Sequence, residues 1–221
     1  RHDEAESALR EAVAILKTRW DGFDRNALSD YQGIQVRLVE LLSVEGKHDE
    51  AEAILRTILE QDKKLAAESN RNWAVEHRSA PLGPMDSYVV RSLNLLAREL
   101  WRQGNHSGAE ALAREALAMI DALAADRSRG WSNAHMARPP VLFTLAEALR
   151  DQENYAEADS TYEQLLATHE NVLGWGLLGE SLSGYAESLR RQGQFVKALP
   201  LAERAIEFRE KAMVPGHPAL A

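Results

Sequence analysis

The chain has 221 residues, 45% hydrophobic and 27% charged, with a formal net charge of −8; this is the composition of a folded globular chain, not a disordered one. The acidic balance excludes a general grip on nucleic-acid phosphates or on an anionic membrane surface, both of which need clustered Lys and Arg. Cysteine is absent, which excludes a disulfide framework and thiol chemistry and is compatible with a cytoplasmic protein.

In chain order, the first element is an amphipathic helix entered through Arg1-His2-Asp3-Glu4-Ala5. It reads as the second half of a helix pair, so a partial repeat is expected over 1–20. Four complete turns follow: Gly46-Lys47-His48-Asp49-Glu50-Ala51, Gly104-Asn105-His106-Ser107-Gly108-Ala109, Glu153-Asn154-Tyr155-Ala156-Glu157-Ala158 and Gly193-Gln194-Phe195-Val196-Lys197-Ala198. From Ala5 onward the closing alanines are 46, 58, 49 and 40 residues apart. Repeats at such a period fix an architecture before any site chemistry is considered.

Each complete turn is preceded by an apolar stripe at helical spacing. The stripes are Leu38, Val39, Leu42; Leu93, Leu96, Ala97, Leu100; Leu142, Leu145, Ala146, Leu149; and Leu182, Tyr185, Ala186, Leu189. After the turns come Ala51, Leu55, Ile58; Ala109, Ala113, Ala116; Ala158, Tyr162, Leu165; and Ala198, Ala202, Ala205. Recurrence at i, i+3, i+4 and i+7 predicts a helix, a short turn and a second helix in every unit. The alanines allow close helix approach. The expected units are 28–68, 86–125, 139–172 and 177–213, with 214–221 starting a further unit or a tail. The chain is expected to be a fragment of a longer protein. The turn glycines suit a left-handed residue ending the first helix. Glu153 lacks that freedom, so Asn154 is expected to take the role. His48, His106, Tyr155 and Phe195 are expected to pack the turn onto the second helix, and Pro200 to fall in a first helical turn.

The pattern Leu-x-x-Leu-Ala-x-x-Leu followed by Gly-x-(aromatic or His)-x-x-Ala resembles the tetratricopeptide repeat. It is carried by Leu93 to Ala109, by Leu142 to Ala158 with Glu153 for Gly, and by Leu182 to Ala198 with Tyr185 for the second Leu. The closing Arg209-Glu210-Lys211 and His217-Pro218 resemble the connector of the longer-repeat, kinesin-light-chain-like subgroup. The family's usual proline ending the second helix is missing; Lys63, Asp121 and Glu210 stand there, so those helices are expected to run on. The resemblance implies an all-α fold, an α-solenoid of stacked antiparallel helix pairs forming a right-handed superhelix.

Each complete connection carries one tryptophan: Trp20, Trp73, Trp131 or Trp175. Two share a pattern, Arg71, Trp73, His77, Pro81 and Arg129, Trp131, His135, Pro139. Such a Trp either plugs the seam between units or anchors a partner; on the second reading Trp73, His77, Trp131 and His135 are loop anchors. Two loop histidines without a companion Cys or carboxylate at ligand spacing make poor metal ligands, and no metal or cofactor is expected.

The resemblance also implies that first helices line a concave groove. The groove candidates are then Arg91, Asn94, Arg98, Trp101, Arg102, Glu147, Arg150, Glu187, Arg190 and Arg191. Asn94 and Arg98, one helical turn apart, suit forked hydrogen bonds to a peptide carboxylate or backbone, and Trp101 suits an apolar anchor. No Gly-rich phosphate loop, Gly-x-Ser-x-Gly or His-Glu-x-x-His is present, so no enzyme is expected. The expected role is a noncatalytic module binding a protein or peptide segment, acidic in character, with no nucleic acid and no membrane. The alternatives are a structural or self-associating scaffold, and the sensor arm of a larger bacterial signalling enzyme.

Overall fold

The computed structural model describes residues 2–19, 25–77, 86–125, 134–167 and 170–212. Among the described residues it is all-α. The helices are α1 (His2–Arg19), α2 (Arg25–Val44), α3 (His48–His77), α4 (Asp86–Arg102), α5 (His106–Ala125), α6 (Ala134–Asp151), α7 (Tyr155–Leu166), α8 (Glu170–Arg191) and α9 (Phe195–Ala212). Consecutive helices pack on one another, and α4, α6 and α8 also meet directly. The result is an α-solenoid of antiparallel pairs, α2–α3, α4–α5, α6–α7 and α8–α9, with α1 packed on α2 ahead of the first pair.

The predicted stripes form the seams. Leu93, Leu96, Ala97 and Leu100 are buried, as are Leu142, Leu145, Ala146 and Leu149. The alanines Ala51, Ala109, Ala113, Ala116 and Ala158 have no exposed surface at all. A larger side chain at any of them would force apart helices already in contact.

The four turns share one hydrogen-bond pattern. The amide after the left-handed residue reaches five residues back, as in Lys47 to Leu42 (2.8 Å), Asn105 to Leu100 (2.8 Å), Asn154 to Leu149 (2.9 Å) and Gln194 to Leu189 (2.8 Å). This is the Schellman termination, which needs one residue at positive φ. Gly46, Gly104 and Gly193 supply it at φ 75°, 80° and 75°, and Glu153 takes the same place at φ 63°. Asn154 stands at φ −80°, so the expectation that it carries the left-handed residue is corrected. The two backbone bonds of the motif fix the position in the turn, and the side chain there must comply. Glu153→Gly is therefore expected to raise the unfolding free energy by about 0.5–1 kcal/mol, measured by urea denaturation.

Three further expectations change. α3 continues to His77, so Trp73 and His77 lie on a helix and not in a loop. His135 lies in the first turn of α6, and Trp175 follows the kink that Gly174 (φ 65°) puts into α8; Trp20 and Trp131 fall outside the described residues. Pro200 is the sixth residue of α9, in its second turn, where the carbonyl it leaves free belongs to Val196, 91% exposed and open to water.

Candidate concave site

In each first helix the apolar stripe turns inward, and residues between its members lie on the side where neighbouring first helices meet. On α4, α6 and α8 these surround a hollow of about 380 Å³, together with Arg209 from α9. Arg98, Trp101 and Arg102 come from α4; Thr144, Glu147 and Arg150 from α6; Glu180, Ser183 and Gly184 from α8. Four arginines thus face two glutamates.

Half of these charges are already committed. Arg150 donates to Glu147 at 2.8 Å and to Asp151 at 3.0 Å, and the Tyr162 hydroxyl donates to Glu147 at 2.5 Å. Burial pushes the Glu147 carboxyl above the usual carboxylate range, with Arg150 and Tyr162 opposing. Asp151 ties three units together: it accepts from the Trp101 indole at 2.8 Å and from Arg191 at 2.9 Å as well as from Arg150. Its burial favours the neutral form, but Arg150 and Trp101 outweigh that and hold the carboxyl low.

Arg209, Glu180 and Arg98 are not committed to a described residue, and of the three only Arg98 is drawn from solvent. It is partly buried, lines the hollow, and makes no hydrogen bond or ion pair with a described residue. Burial and the neighbouring Arg102 lower its affinity for the proton, while Glu180 and Glu40 pull the other way from beyond ion-pair distance. A guanidinium so placed retains unused donor capacity toward whatever enters the hollow.

The structure distributes the other predicted residues as follows. Asn94 is buried and accepts from the Thr144 hydroxyl at 2.9 Å, so its oxygen is not free for a ligand. Trp101 is half-buried and packs against the main core; it lines the hollow as a strut held by Asp151. Arg102 lies 3.4 Å from the buried Glu99. Arg91 is exposed and outside the lining of the hollow. Glu187 and Arg190 border a different hollow between α8 and α9, with Glu187 held at about 2 by Arg190 and, against some burial, by Arg191. Of Trp73, His77 and His135 the backbone alone is described.

Sequence reasoning misses the joints between units. His48 does more than pack its turn: its Nδ1 lies 2.7 Å from Glu99 of the next first helix. One unit on, the place of Glu99 is taken by Ala148, and the buried Nδ1 of His106 has no partner. A glutamine before the left-handed residue is a second joint: Gln103 donates to the His48 carbonyl at 3.4 Å beside Glu52, Gln152 bonds Glu110 at 2.8 Å and Gln192 bonds Asp159 at 2.9 Å. Its signal in the sequence is Gln-Gly, Gln-Glu and Gln-Gly at the same register of three turns. Among the described residues no group of three or more His, Cys, Asp or Glu is placed to hold a metal ion, and no helix is long and apolar enough to cross a membrane.

Two family models match the chain, both described as tetratricopeptide repeat, over residues 139–211 and 89–122. No curated protein matches it in sequence. Among solved structures it is similar to a kinesin light chain from Podosopora anserina with nearly identical TPR-like repeats, at 19% identity and a TM-score of 0.59, covering 96% of this chain and 89% of the other. A point variant of that protein gives 0.61, again at 19% identity, with 96% and 88% covered. BtubC (BKLC) from P. vanneervenii gives 0.53 at 16% identity, with 98% and 94% covered.

Proposed function

Given that this chain is a tetratricopeptide-repeat protein, in fold resembling the kinesin-light-chain-like subgroup, we propose that it is a noncatalytic module that holds a peptide segment of a partner protein in its concave hollow. Such repeats serve protein–protein interaction in general; the groove and the character of the ligand are the specific part of the reading. The observation that carries it is Arg98, a partly desolvated guanidinium with no ion-pair partner among the described residues, in the wall of the hollow between α4, α6 and α8. In this reading an acidic side chain of the peptide takes the two-donor edge of Arg98, with Arg102 and Arg209 supplying longer-range attraction. Trp101 offers its ring as an apolar wall while Asp151 fixes its orientation.

The test is selection of peptides from a random library on the immobilised chain, followed by fluorescence anisotropy with the selected sequences. Selected peptides are expected to be rich in Asp and Glu. Arg98→Ala is expected to weaken them by about 10- to 100-fold, the worth of a charge-assisted hydrogen bond, with an unchanged melting temperature. Trp101→Ala, by contrast, is expected to cost about 1–2 kcal/mol of stability, because it removes a packed ring and one of the Asp151 bonds. Undiminished binding to Arg98→Ala would refute the groove reading.

A further inference from the structure

Arg98 stands six residues before Gly104, the left-handed residue of its turn. At the same register the other first helices carry Glu40, Glu147 and Glu187, so Arg98 is the one cation in a row of glutamates. Two of the three are spent, Glu147 on Arg150 and Tyr162, and Glu187 on Arg190 and Arg191. Glu40, on α2, is exposed and has no hydrogen-bond or ion-pair partner among the described residues. Glu180, on α8, is exposed and unpartnered in the same sense, and it lines the hollow itself. In the order of the stack α2 precedes α4 and α8 follows it. Arg98 thus has a hydrated carboxylate to either side, near enough to act on its charge and too far to pair with it.

Building on the groove reading proposed above, we infer that the segment held at Arg98 carries a basic side chain beside its acidic one, and that Glu180 is the residue that selects it. The uncommitted charges run negative, positive, negative along the stack, and a complementary ligand runs the other way. While water fills the hollow, Glu180 is solvated and gains little from a distant guanidinium. A ligand that seats a carboxylate on Arg98 displaces that water and brings like charge toward Glu180. A Lys or Arg of the ligand beside Glu180 turns that repulsion into a second attraction; a uniformly acidic segment keeps the repulsion and is rejected by it. Glu180 makes the selection, and not Glu40, because only Glu180 shares the lining of the hollow with Arg98. The ligand class narrows accordingly, from an acidic peptide to one in which acidic and basic residues alternate.

Selection from a random peptide library on the wild-type chain and on Glu180→Lys, followed by fluorescence anisotropy with the selected peptides, tests this. Wild-type selections are expected to carry Lys or Arg at a fixed offset from an Asp or Glu, and Glu180→Lys selections to turn that basic position acidic while keeping the first acid. Replacing the basic residue of a wild-type peptide by Glu is expected to weaken its binding to the wild type by at least about tenfold, and Glu180→Lys to restore it. Glu180→Gln, neutral and of equal size, is expected to lose the preference without acquiring the opposite one. Because the side chain is exposed, both variants are expected to melt with the wild type. Acidic peptides that depend on Arg98 but show no recurring basic residue would overturn the role of Glu180 and leave the groove reading standing. So would a basic residue whose loss is felt equally by the wild type, Glu180→Gln and Glu180→Lys. Peptides without an acidic residue, or binding indifferent to Arg98→Ala, would remove the groove reading and the role of Glu180 with it.

Discussion

Glu99→Ala is expected to lower the unfolding free energy by about 3 kcal/mol, the cost of stranding the partners of a buried charge. Glu99 has no exposed surface, yet it lies on a helix otherwise read as a groove wall. Its two oxygens are fully used. One accepts from the Ser43 hydroxyl of α2 at 2.6 Å and lies 3.4 Å from Arg102; the other faces Nδ1 of His48, at the start of α3, at 2.7 Å. The carboxylate therefore fastens both helices of one unit to the first helix of the next. Removing it leaves a hydroxyl and an imidazole facing a void. Glu99→Gln keeps the volume and one acceptor but loses the charge, and is expected to cost about 1–2 kcal/mol. Urea denaturation of the two variants checks this: equal losses would show that volume, and not the charge, holds the joint. Loss confined to the N-terminal units, followed by hydrogen exchange, is the expected pattern in a solenoid whose units are coupled only to neighbours.

That joint shows where the sequence is readable and where it is not. Periodic apolar residues and the turns lie close together along the chain, so the helix pairs and their buried stripes are legible directly. Lys63 and Asp121 in place of a helix-ending proline point to long second helices, although the 30 residues of α3 exceed what that absence alone implies. Glu99, Asn94 and Glu147 are opaque for a common reason. Each sits between members of an apolar stripe, the register that faces solvent in a lone helix, and only the neighbouring unit covers it. Pairings at separations of about 50 residues, His48 with Glu99 and Trp101 with Asp151, follow from stacking and not from local pattern. The groove candidates are charges that a lone helix would expose. Stacking spends most of them on one another, and Arg98 keeps its donors because its neighbours Arg102 and Glu180 are, respectively, of like charge and too far to pair. At Glu153 residue preference and the hydrogen-bond motif of the turn disagree, and the motif is the stronger constraint.

Gly184→Ala is expected to destabilise the chain by about 2–3 kcal/mol, the upper part of the range for overpacking, and to do so through the floor of the concave hollow. A Cβ at 184 would stand 2.3 Å from Oε1 of Glu147 and 2.7 Å from the hydroxyl of Tyr162. Neither neighbour can swing away cheaply. Tyr162 is fully buried and its ring stacks on Tyr185 at 5.6 Å between centroids. Glu147 is held by Arg150 and by Tyr162 itself. Glycine is required at this point because two helices meet across a hydrogen-bonded carboxylate that fills the space of a side chain. The methyl group would prise α8 from α6, break the bond between Tyr162 and Glu147, and leave in the interior a carboxylate whose remaining partner is Arg150. Tyr162→Phe separates the two contributions. It removes the hydroxyl, relieving the clash with the 184 methyl while sacrificing the hydrogen bond. If steric pressure dominates, the double variant is more stable than Gly184→Ala alone; if loss of the hydrogen bond dominates, that bond is already broken in Gly184→Ala and the double variant matches it. Thermal melts of the single and double variants decide between them. Because the same methyl narrows the hollow beside Arg98, peptide affinity measured on Gly184→Ala is expected to fall together with stability, whereas Arg98→Ala moves affinity alone.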